Sequence, residues 1–290
     1  MAATIYWILN LLLANLMSPL KNITFVVNKD KTGALDLAYQ LETECHRYGC
    51  KPQILTIHPV PEDALSGSDL CCVIGGDGTL LSVTQAAVKA RVPTLGINLG
   101  KLGFMAFNTH DAKALLPDIL KGHFEVSERH LLECTCANGF AKIALNDVVI
   151  KTRSTRLARL QVYANEKLVN EYNADGLIFA TPTGSTAYNL SAGGPLVDPT
   201  APVLTMTPIC PHTLSNRSVI FSENTVIRVE ACNDLEDLYI SRDGTTCFES
   251  SGNFPLTIKI ASKEIFKLVT NPKYSHFHLV NKKLGWGREN

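Results

Sequence analysis

The stretch that most constrains the fold of this chain is Leu70–Leu81, with the sequence LCCVIGGDGTLL. An apolar run ends in three glycines around Asp77 and resumes as two leucines, which predicts a buried strand, a loop and the start of a helix. Glycines leave the backbone open to a ligand, and loop amides before a helix favour an anion such as phosphate. A carboxylate beside a phosphate is repelled unless it binds a cation or accepts a proton. The stretch therefore predicts phosphoryl-transfer chemistry, with Mg²⁺ or with Asp77 as a base.

The first half of the chain is predicted to alternate strands with helices. Apolar β-type runs cover 22–28, 53–57, 70–74 and 93–98, and helices are expected from Gly33 to Gly49, from the glycine loop to about Ala90, and over about 111–121. This order is typical of parallel βαβ units, whose ligands bind at the carboxyl ends of the strands. The glycine loops Gly75–Gly78 and Gly96–Gly103 both lie at such ends.

From about residue 126 the pattern changes to short strands with almost no helical periodicity. Asn138-Gly139 is a strong hairpin signal, Phe140–Ile150 is predicted as one strand, and Asn165-Glu166-Lys167 separates two more strands. We therefore predict an N-terminal α/β domain with a parallel sheet and a C-terminal antiparallel all-β domain, packed closely with a cleft between them. The predicted boundaries are an extension over 1–21, the α/β domain over 22–125, the β domain over 126–264 and a segment of mixed periodicity over 265–290.

Composition narrows the class of protein. Lysine and arginine together number 27, as do aspartate and glutamate, so no broad basic surface predicts binding to nucleic acid or to an anionic membrane. The nine cysteines are scattered without zinc-ligand spacing, which is typical of reduced core cysteines in a cytoplasmic protein. The apolar stretch 5–17 lacks a basic start and is shorter than the roughly 20 residues of a membrane span. We expect it to be a packed helix or a leader, not an anchor.

Two polar stretches in the β domain are candidates for ligand binding. The loop within 175–194 is dense in small hydroxyl residues and includes Tyr188, whose ring offers a flat surface for a base or a sugar. The alternative is a tight loop whose hydroxyls cap their own backbone. Asn146-Asp147 interrupts an apolar strand and must find partners if it is buried. The pair either hydrogen-bonds ribose hydroxyls or lies at a strand edge.

Several phosphate-binding classes are excluded by their missing motifs. The chain has no GxxxxGK[ST] sequence, no protein-kinase HRD or DFG set, and no Rossmann GxGxxG. Five histidines show no partner pattern that would make one of them catalytic, namely His46, His58, His110, His123 and His130. His212, in the sequence PHTL, is a closer candidate and is left out of the catalytic set.

At this point the chain resembles an NAD kinase, which transfers a phosphate from ATP to the 2′-hydroxyl of the adenosine ribose of NAD to make NADP. The GGDGT motif alone is shared with diacylglycerol and sphingosine kinases and, more loosely, with phosphofructokinases. The combination is more specific, and its blocks are GGDGTLL at 75–81, GINLGKLGF at 96–104, LNDVVI at 145–150, DGLIFATPTGSTAYNLSAGGPLVDP at 175–199 and PHTLSNR at 211–217.

The resemblance implies a role for each matching residue. Asp77 is expected to act as general base for the ribose 2′-hydroxyl or to align it. Gly76, Gly78 and Thr79 are expected at the phosphates, and Phe104 at the nucleotide pocket. Asn146 and Asp147 occupy an Asn-acidic motif that holds the NAD ribose and adenine, with Asp where many members have Glu. Asp175 is expected near the nicotinamide, and the residues expected to line the NAD pocket are Thr186, Ala187, Tyr188 and Ser191.

The resemblance also implies Mg²⁺ or another divalent cation with ATP, a homodimer or homotetramer, and a chain end that returns to the first domain. No residue of the chain is expected to be a dedicated metal ligand. Lys101 is the nearest basic residue in the second glycine loop. Two alternatives stay open at this stage. A lipid kinase would need an acyl-chain cavity, and a non-catalytic NADP(H) sensor would gain little from a carboxylate such as Asp77.

Overall fold

The computed structural model describes residues 18–100, 103–213, 217–232, 238–249 and 253–285. These residues form two compact units. The first runs up to Glu128 and resumes at Phe266, and the second covers Arg129–Ile265. The segment after Phe266, whose placement periodicity does not predict, therefore belongs to the first unit. The apolar stretch 5–17, Lys101 and part of the PHTLSNR block lie outside the described residues.

The first unit is built on a parallel sheet. Its strands are β1 (Asn22–Val27), β2 (Lys51–Leu55), β3 (Leu70–Gly75), β4 (Thr94–Asn98) and β5 (Ala106–Asn108). They pair in the order β2-β1-β3-β4-β5, and every pairing is parallel. The carboxyl ends of β1, β3 and β4 therefore meet at one edge of the sheet, the edge where the glycine loops begin.

Helices connect these strands and cover the apolar sheet. They are α1 (Ala34–Arg47), α2 (Asp77–Ser82), α3 (Thr84–Ala90) and α4 (Thr109–Leu120). Leu37 and Leu41 of α1 and Leu116 of α4 join Phe25 of β1 and Leu95 of β4 in one buried cluster. The single helix predicted after the glycine loop is instead two helices, which meet at Val83. No helix in the described part of the chain is long and apolar enough to cross a membrane.

The second unit contains two antiparallel sheets. Its elements are β6 (Glu125–Thr135), β7 (Ala141–Ala144), β8 (Asp147–Thr152), β9 (Ala158–Ala164), β10 (Lys167–Ala174), β11 (Gly176–Ala180), a 3₁₀ turn (Thr183–Thr186), α5 (Tyr188–Ser191), β12 (Val203–Ile209), β13 (Val219–Ser222), β14 (Ile227–Ala231), β15 (Leu238–Arg242), β16 (Thr245–Glu249) and the start of β17 (Leu256–Thr270). One sheet has the order β13-β12-β11-β8-β15-β16, and in the other β10, β9, β14 and β17 are neighbours. One apolar cluster joins both sheets, with Val148 and Phe179 from the first and Leu160 and Ile258 from the second. The predicted fold class is confirmed.

Some predicted elements differ from the structure. The strand predicted over Phe140–Ile150 is two strands, β7 and β8, separated at Leu145 and Asn146. Strand β17 continues past the predicted end of the β domain at 264 to Thr270, and it is followed by helix α6 (His276–Leu284).

The nine cysteines all carry free thiols. Six of them are buried, among them Cys71 and Cys72 of β3, and Cys210 and Cys232 are exposed. Burial raises the pKa of Cys71 to about 12 and raises that of Cys72 well above its ordinary value.

Candidate active site

The glycine loop forms a tight connection between β3 and α2. A Cβ atom at Gly75 would overlap the side chain of Thr79, so that position accepts glycine only. The Thr79 hydroxyl accepts a hydrogen bond from the backbone N–H of Gly76 and one from the Asn28 side chain, each at 3.4 Å. The turn therefore orients the first residues of α2, including Asp77 and Gly78, by contacts within the loop and with the end of β1.

The two carboxylate oxygens of Asp77 have different surroundings. Oδ2 accepts a hydrogen bond of 3.3 Å from the backbone N–H of Phe104 and lies 4.0 Å from the ammonium of Lys283. Oδ1 is buried and has no hydrogen-bond partner among the described residues. A Cβ atom at Gly103 would overlap Oδ1, so this glycine makes room for the carboxylate. One oxygen thus fixes the side chain, and the other is available to accept a proton or to contact a cation.

Two lysines that the sequence analysis did not select lie at this loop. The Lys31 ammonium is 3.4 Å from Asn98 Oδ1 and would contact any side chain placed on Gly76. Lys283 lies on α6, with its ammonium 4.0 Å from the centre of the Phe104 ring. Lys31 follows β1, and β1 pairs in parallel with β3. Residues that follow these two strands therefore lie at the same edge of the sheet, and this pairing is the signal that could have identified Lys31. No comparable signal exists for Lys283, since its helix lies in the segment of mixed periodicity.

In the second unit, Asp243 fixes the Asn146-Asp147 pair. Its carboxylate accepts hydrogen bonds from the backbone N–H groups of Leu145, Asn146 and Asp147 at 2.9, 2.7 and 3.3 Å. The backbone N–H of Asp243 in turn donates to the carbonyl of Asp147. Because the amides of Leu145 and Asn146 bond to a side chain, they do not pair with a neighbouring strand, which explains the break between β7 and β8. Asn146 and Asp147 are both buried, so they do not lie at an exposed strand edge.

The two carboxyl groups at the Asn146-Asp147 turn, those of Asp147 and Asp243, both have raised pKa values. Burial, and secondarily the nearby charge of Asp243, raise the pKa of Asp147 to about 7. Burial also raises the pKa of Asp243, although its backbone hydrogen bonds act in the opposite direction. Asp147 can therefore exchange a proton near neutral pH, and it can donate or accept a hydrogen bond accordingly.

The hydroxyl-rich loop lies against this turn. Thr181 donates its backbone N–H to the carbonyl of Asn146 and its hydroxyl to the carbonyl of Leu145. A Cβ atom at Gly184 would overlap the carbonyl of Asn146. The hydroxyls of Ser185 and Thr186 donate to main-chain carbonyls of the 3₁₀ turn region. Several hydroxyls of this loop thus bond to the loop's own backbone, as the alternative interpretation of this stretch predicts.

Tyr188 and the exposed Ser191 mark the ends of α5. The Tyr188 ring is 37% exposed, whereas Ala187 and Thr186 are half-buried. Interaction with Tyr188, and to a smaller extent with Asp175, raises the pKa of Lys151. Lys151 pairs with Gly176 across β8 and β11, which explains why Lys151 is close to Asp175.

The predicted site residues thus fall into two groups, one in each unit. Asp77 and Phe104 are in direct contact in the first unit, next to Gly76, Gly78 and Thr79. In the second unit the loop over 181–188 contacts the Asn146-Asp147 turn. No group of three or more His, Cys, Asp or Glu side chains in the described ranges could hold a metal ion by itself.

Comparison with known proteins assigns the chain to a family. The family model for the ATP-NAD kinase N-terminal domain matches residues 4–124, and the one for the C-terminal domain matches residues 145–270. An NAD kinase from Caldanaerobacter subterraneus subsp. tengcongensis is 41% identical over 227 residues, which cover 76% of this chain and 79% of that protein.

Two solved structures are similar. Yeast NADH kinase complexed with NADH superposes with a TM-score of 0.85 at 25% identity, covering 94% of this chain and 90% of the yeast chain. An NAD kinase from Archaeoglobus fulgidus in complex with ATP has the same fold, with a TM-score of 0.73 at 22% identity, covering 91% of this chain and 98% of that one. The family models and the 41% identical relative favour an NAD kinase over the lipid-kinase and sensor alternatives. The chain therefore belongs to the ATP-NAD kinase family, and its activity is the ATP-dependent phosphorylation of NAD.

Proposed function

We propose that the chain transfers the γ-phosphate of ATP to the 2′-hydroxyl of the adenosine ribose of NAD, with Asp77 as the general base. The observation that supports this assignment is the asymmetry of the Asp77 carboxylate. Oδ2 is fixed by Phe104 and Lys283, while Oδ1 is buried without a partner in the described part of the chain. A ribose hydroxyl is a very weak acid, so its attack on phosphorus requires close positioning and a group that accepts the proton. Asp77 Oδ1 is suited to accept it.

The same proposal places the two substrates on the remaining predicted residues. Gly76, Gly78 and Thr79 contact phosphate groups, and Phe104 lines the nucleotide pocket. Asn146 and Asp147 bind the ribose and adenine of NAD. The support for this assignment is that Asp243 fixes the backbone of both residues by hydrogen bonds. Preorganised polar groups bind a ligand with less loss of entropy than mobile ones.

The loop after β11 completes the proposed NAD pocket. The partly exposed ring of Tyr188 offers a face for stacking, and Thr186, Ala187 and Ser191 lie beside it in sequence. Asp175 is assigned to the nicotinamide side, with Lys151 as its basic neighbour.

The residues of the first unit fit a divalent cation that is held mainly by the nucleotide. Mg²⁺ commonly takes one or two carboxylates and completes its shell with phosphate oxygens and water. Because Asp77 Oδ1 is assigned to the proton, such an ion would take its ligands from phosphate oxygens and water, with the Asp77 carboxylate as a negative charge nearby. When bound, the cation would offset phosphate charge. The family resemblance further supports a homodimer or homotetramer and a cytoplasmic location as parts of the proposal.

The test is an assay of NADP formation with a panel of phosphoryl donors, applied to the unmodified protein and to Asp77→Asn. The variant is expected to keep its dissociation constant for NAD and to lose about 10²–10⁴ in kcat, the usual contribution of a positioned base. Asp118→Asn is the matched control, because Asp118 is a largely exposed carboxylate of the same unit. Near-normal turnover of Asp77→Asn would overturn the role assigned to this residue.

A further inference from the structure

Helix α6 brings a second charge to the Asp77 site. The Lys283 ammonium lies 4.0 Å from Asp77 Oδ2 and 4.0 Å from the centre of the Phe104 ring. The side chain is only 26% exposed, so most of its length is covered by neighbouring residues. Asp77 lies at the start of α2 and Phe104 follows β4, whereas Lys283 comes from the far end of the chain. Three separate segments therefore converge on the proposed catalytic carboxylate.

The position of α6 is fixed by contacts at its N-terminal side. Ser275 caps the helix by accepting a hydrogen bond from the backbone N–H of His278, and Val280 is fully buried. Just before the helix, Asn271 and Lys273 bind the buried carboxylate of Asp111 at 3.2 and 2.8 Å. We call these three residues the Asp111 latch. A lysine on a helix held in this way reaches Asp77 with less freedom than a lysine on a loose surface segment.

The charges at the glycine loop suggest what the Lys283 ammonium does next to Asp77. The described residues 75–79 include a carboxylate and no cation, and Lys31 approaches the loop at Gly76, not at Asp77. A phosphoryl group in transfer spreads negative charge over three oxygens, and that charge would develop next to the Asp77 carboxylate. A single partly exposed ion pair contributes little to stability, so the pair with Asp77 does not by itself account for Lys283.

We infer that Lys283 is a catalytic residue whose ammonium contacts the phosphoryl group as it passes from ATP to NAD. The inference rests on the proposed function. In the step itself the ribose 2′-oxygen forms a bond to the γ-phosphorus, and its proton passes to Asp77. The bond between the γ-phosphorus and the bridging oxygen breaks, and ADP leaves with that electron pair. Lys283 keeps its protons throughout and stabilises charge on the transferred group.

The test compares Lys283→Met, which removes the charge and keeps a chain of similar length, with Lys283→Arg and with Lys282→Met. Lys282 is the matched control, since it is the neighbouring lysine of α6 and its ammonium lies over Tyr274, 5.7 Å from the ring centre. Lys283→Met is expected to lower kcat by about 10²–10³, the loss seen when one donor to a developing oxyanion is removed. Its dissociation constant for NAD and its urea midpoint should stay unchanged. Lys283→Arg should recover most of the rate, and Lys282→Met should stay within about twofold of the unmodified protein, as expected of a surface substitution.

Each contrary outcome has a distinct meaning. A kcat of Lys283→Met close to that of the unmodified protein would refute the inference while NADP formation still supports the proposed function. If Lys283→Met and Lys283→Arg lose the same factor in kcat and both have a lower urea midpoint, the inference is refuted. Lys283 would then act by packing its side chain on the Phe104 ring. Lys283→Gln serves as a second uncharged variant if Lys283→Met does not fold. Absence of NADP formation by the unmodified protein would refute the proposed function itself.

Discussion

Asp147 gives a direct test of the electrostatics in the second unit, because its carboxyl is 5% exposed and lies beside a second carboxyl, Asp243. Burial first, and Asp243 second, raise its pKa from 3.8 to about 7. A carboxyl with a raised pKa in the folded state binds a proton that the unfolded chain releases. Its contribution to stability is therefore complete below pH 3.8 and is lost as the pH rises through 7.

The size of the effect follows from these two pKa values. At pH 6 the folded state holds the proton on Asp147 while the unfolded chain does not, and at pH 8 neither state holds it. Proton linkage then predicts that this one group lowers the free energy of unfolding by about 1.4 kcal/mol between pH 6 and pH 8. Asp147→Asn removes the titration, and its neutral amide keeps the shape of the side chain. The variant should therefore gain about 1.4 kcal/mol relative to the unmodified protein over the same interval.

The assay is urea unfolding of both proteins at the two pH values, followed by circular dichroism. Comparing the variant with the unmodified protein at each pH cancels the titration of groups that do not interact with Asp147. Asp118→Asn is the control, since this exposed carboxylate should give the same difference at both pH values. An Asp147→Asn difference that is equal at pH 6 and pH 8 would refute the reasoning, because it would show that Asp147 does not exchange its proton in this range.

Three further predictions follow from contacts in the two units. Gly184→Ala should lower the free energy of unfolding in urea by about 1–3 kcal/mol and weaken NAD binding, since its Cβ must displace the Asn146 carbonyl. The control is Gly100→Ala, whose Cβ meets no atom within 4 Å, so its free energy of unfolding should be almost unchanged. Tyr188→Ala should raise the dissociation constant for NAD in calorimetry more than it lowers kcat, and an unchanged dissociation constant would contradict the stacking role. Asp111→Asn should lower the free energy of unfolding by about 2 kcal/mol and should lower kcat, because Asp111 holds the segment before α6. Hydrogen bonding to Lys273 lowers the pKa of Asp111, so the stabilisation by Asp111 should disappear as the pH falls below 4. A cost of the substitution that persists in acid would argue against the ion pair.

The alternation of strands and helices predicted the parallel sheet, because each buried strand of the first unit reads as a short apolar run. The tight glycine loop around Asp77 was also predictable, since the structure shows at Gly75 that a side chain there would overlap Thr79. Such signals are local. They depend on residues within a few positions of each other, so a single sequence is enough to identify them.

Long-range contacts were not predictable from the same signals. Asp243 lies 96 residues after Asp147, and nothing in the alternation of apolar residues indicates that its carboxylate interrupts the strand predicted over Phe140–Ile150. The position of Lys283 was not predictable for the same reason, since its helix is short and lies far along the chain from Asp77. Pairing across such distances is decided by tertiary packing, which local periodicity does not describe.

The distribution of thiols has a practical consequence for spectroscopy. Thiol reagents attack the thiolate, and the buried Cys71 and Cys72 beneath the glycine loop remain protonated at neutral pH. Cys210 and Cys232 are the exposed thiols, and both lie in the second unit, after β12 and β14. A maleimide dye added to the native protein should therefore label this unit selectively. The protein thus already provides attachment points for a fluorescent label on this unit, without any engineered cysteine.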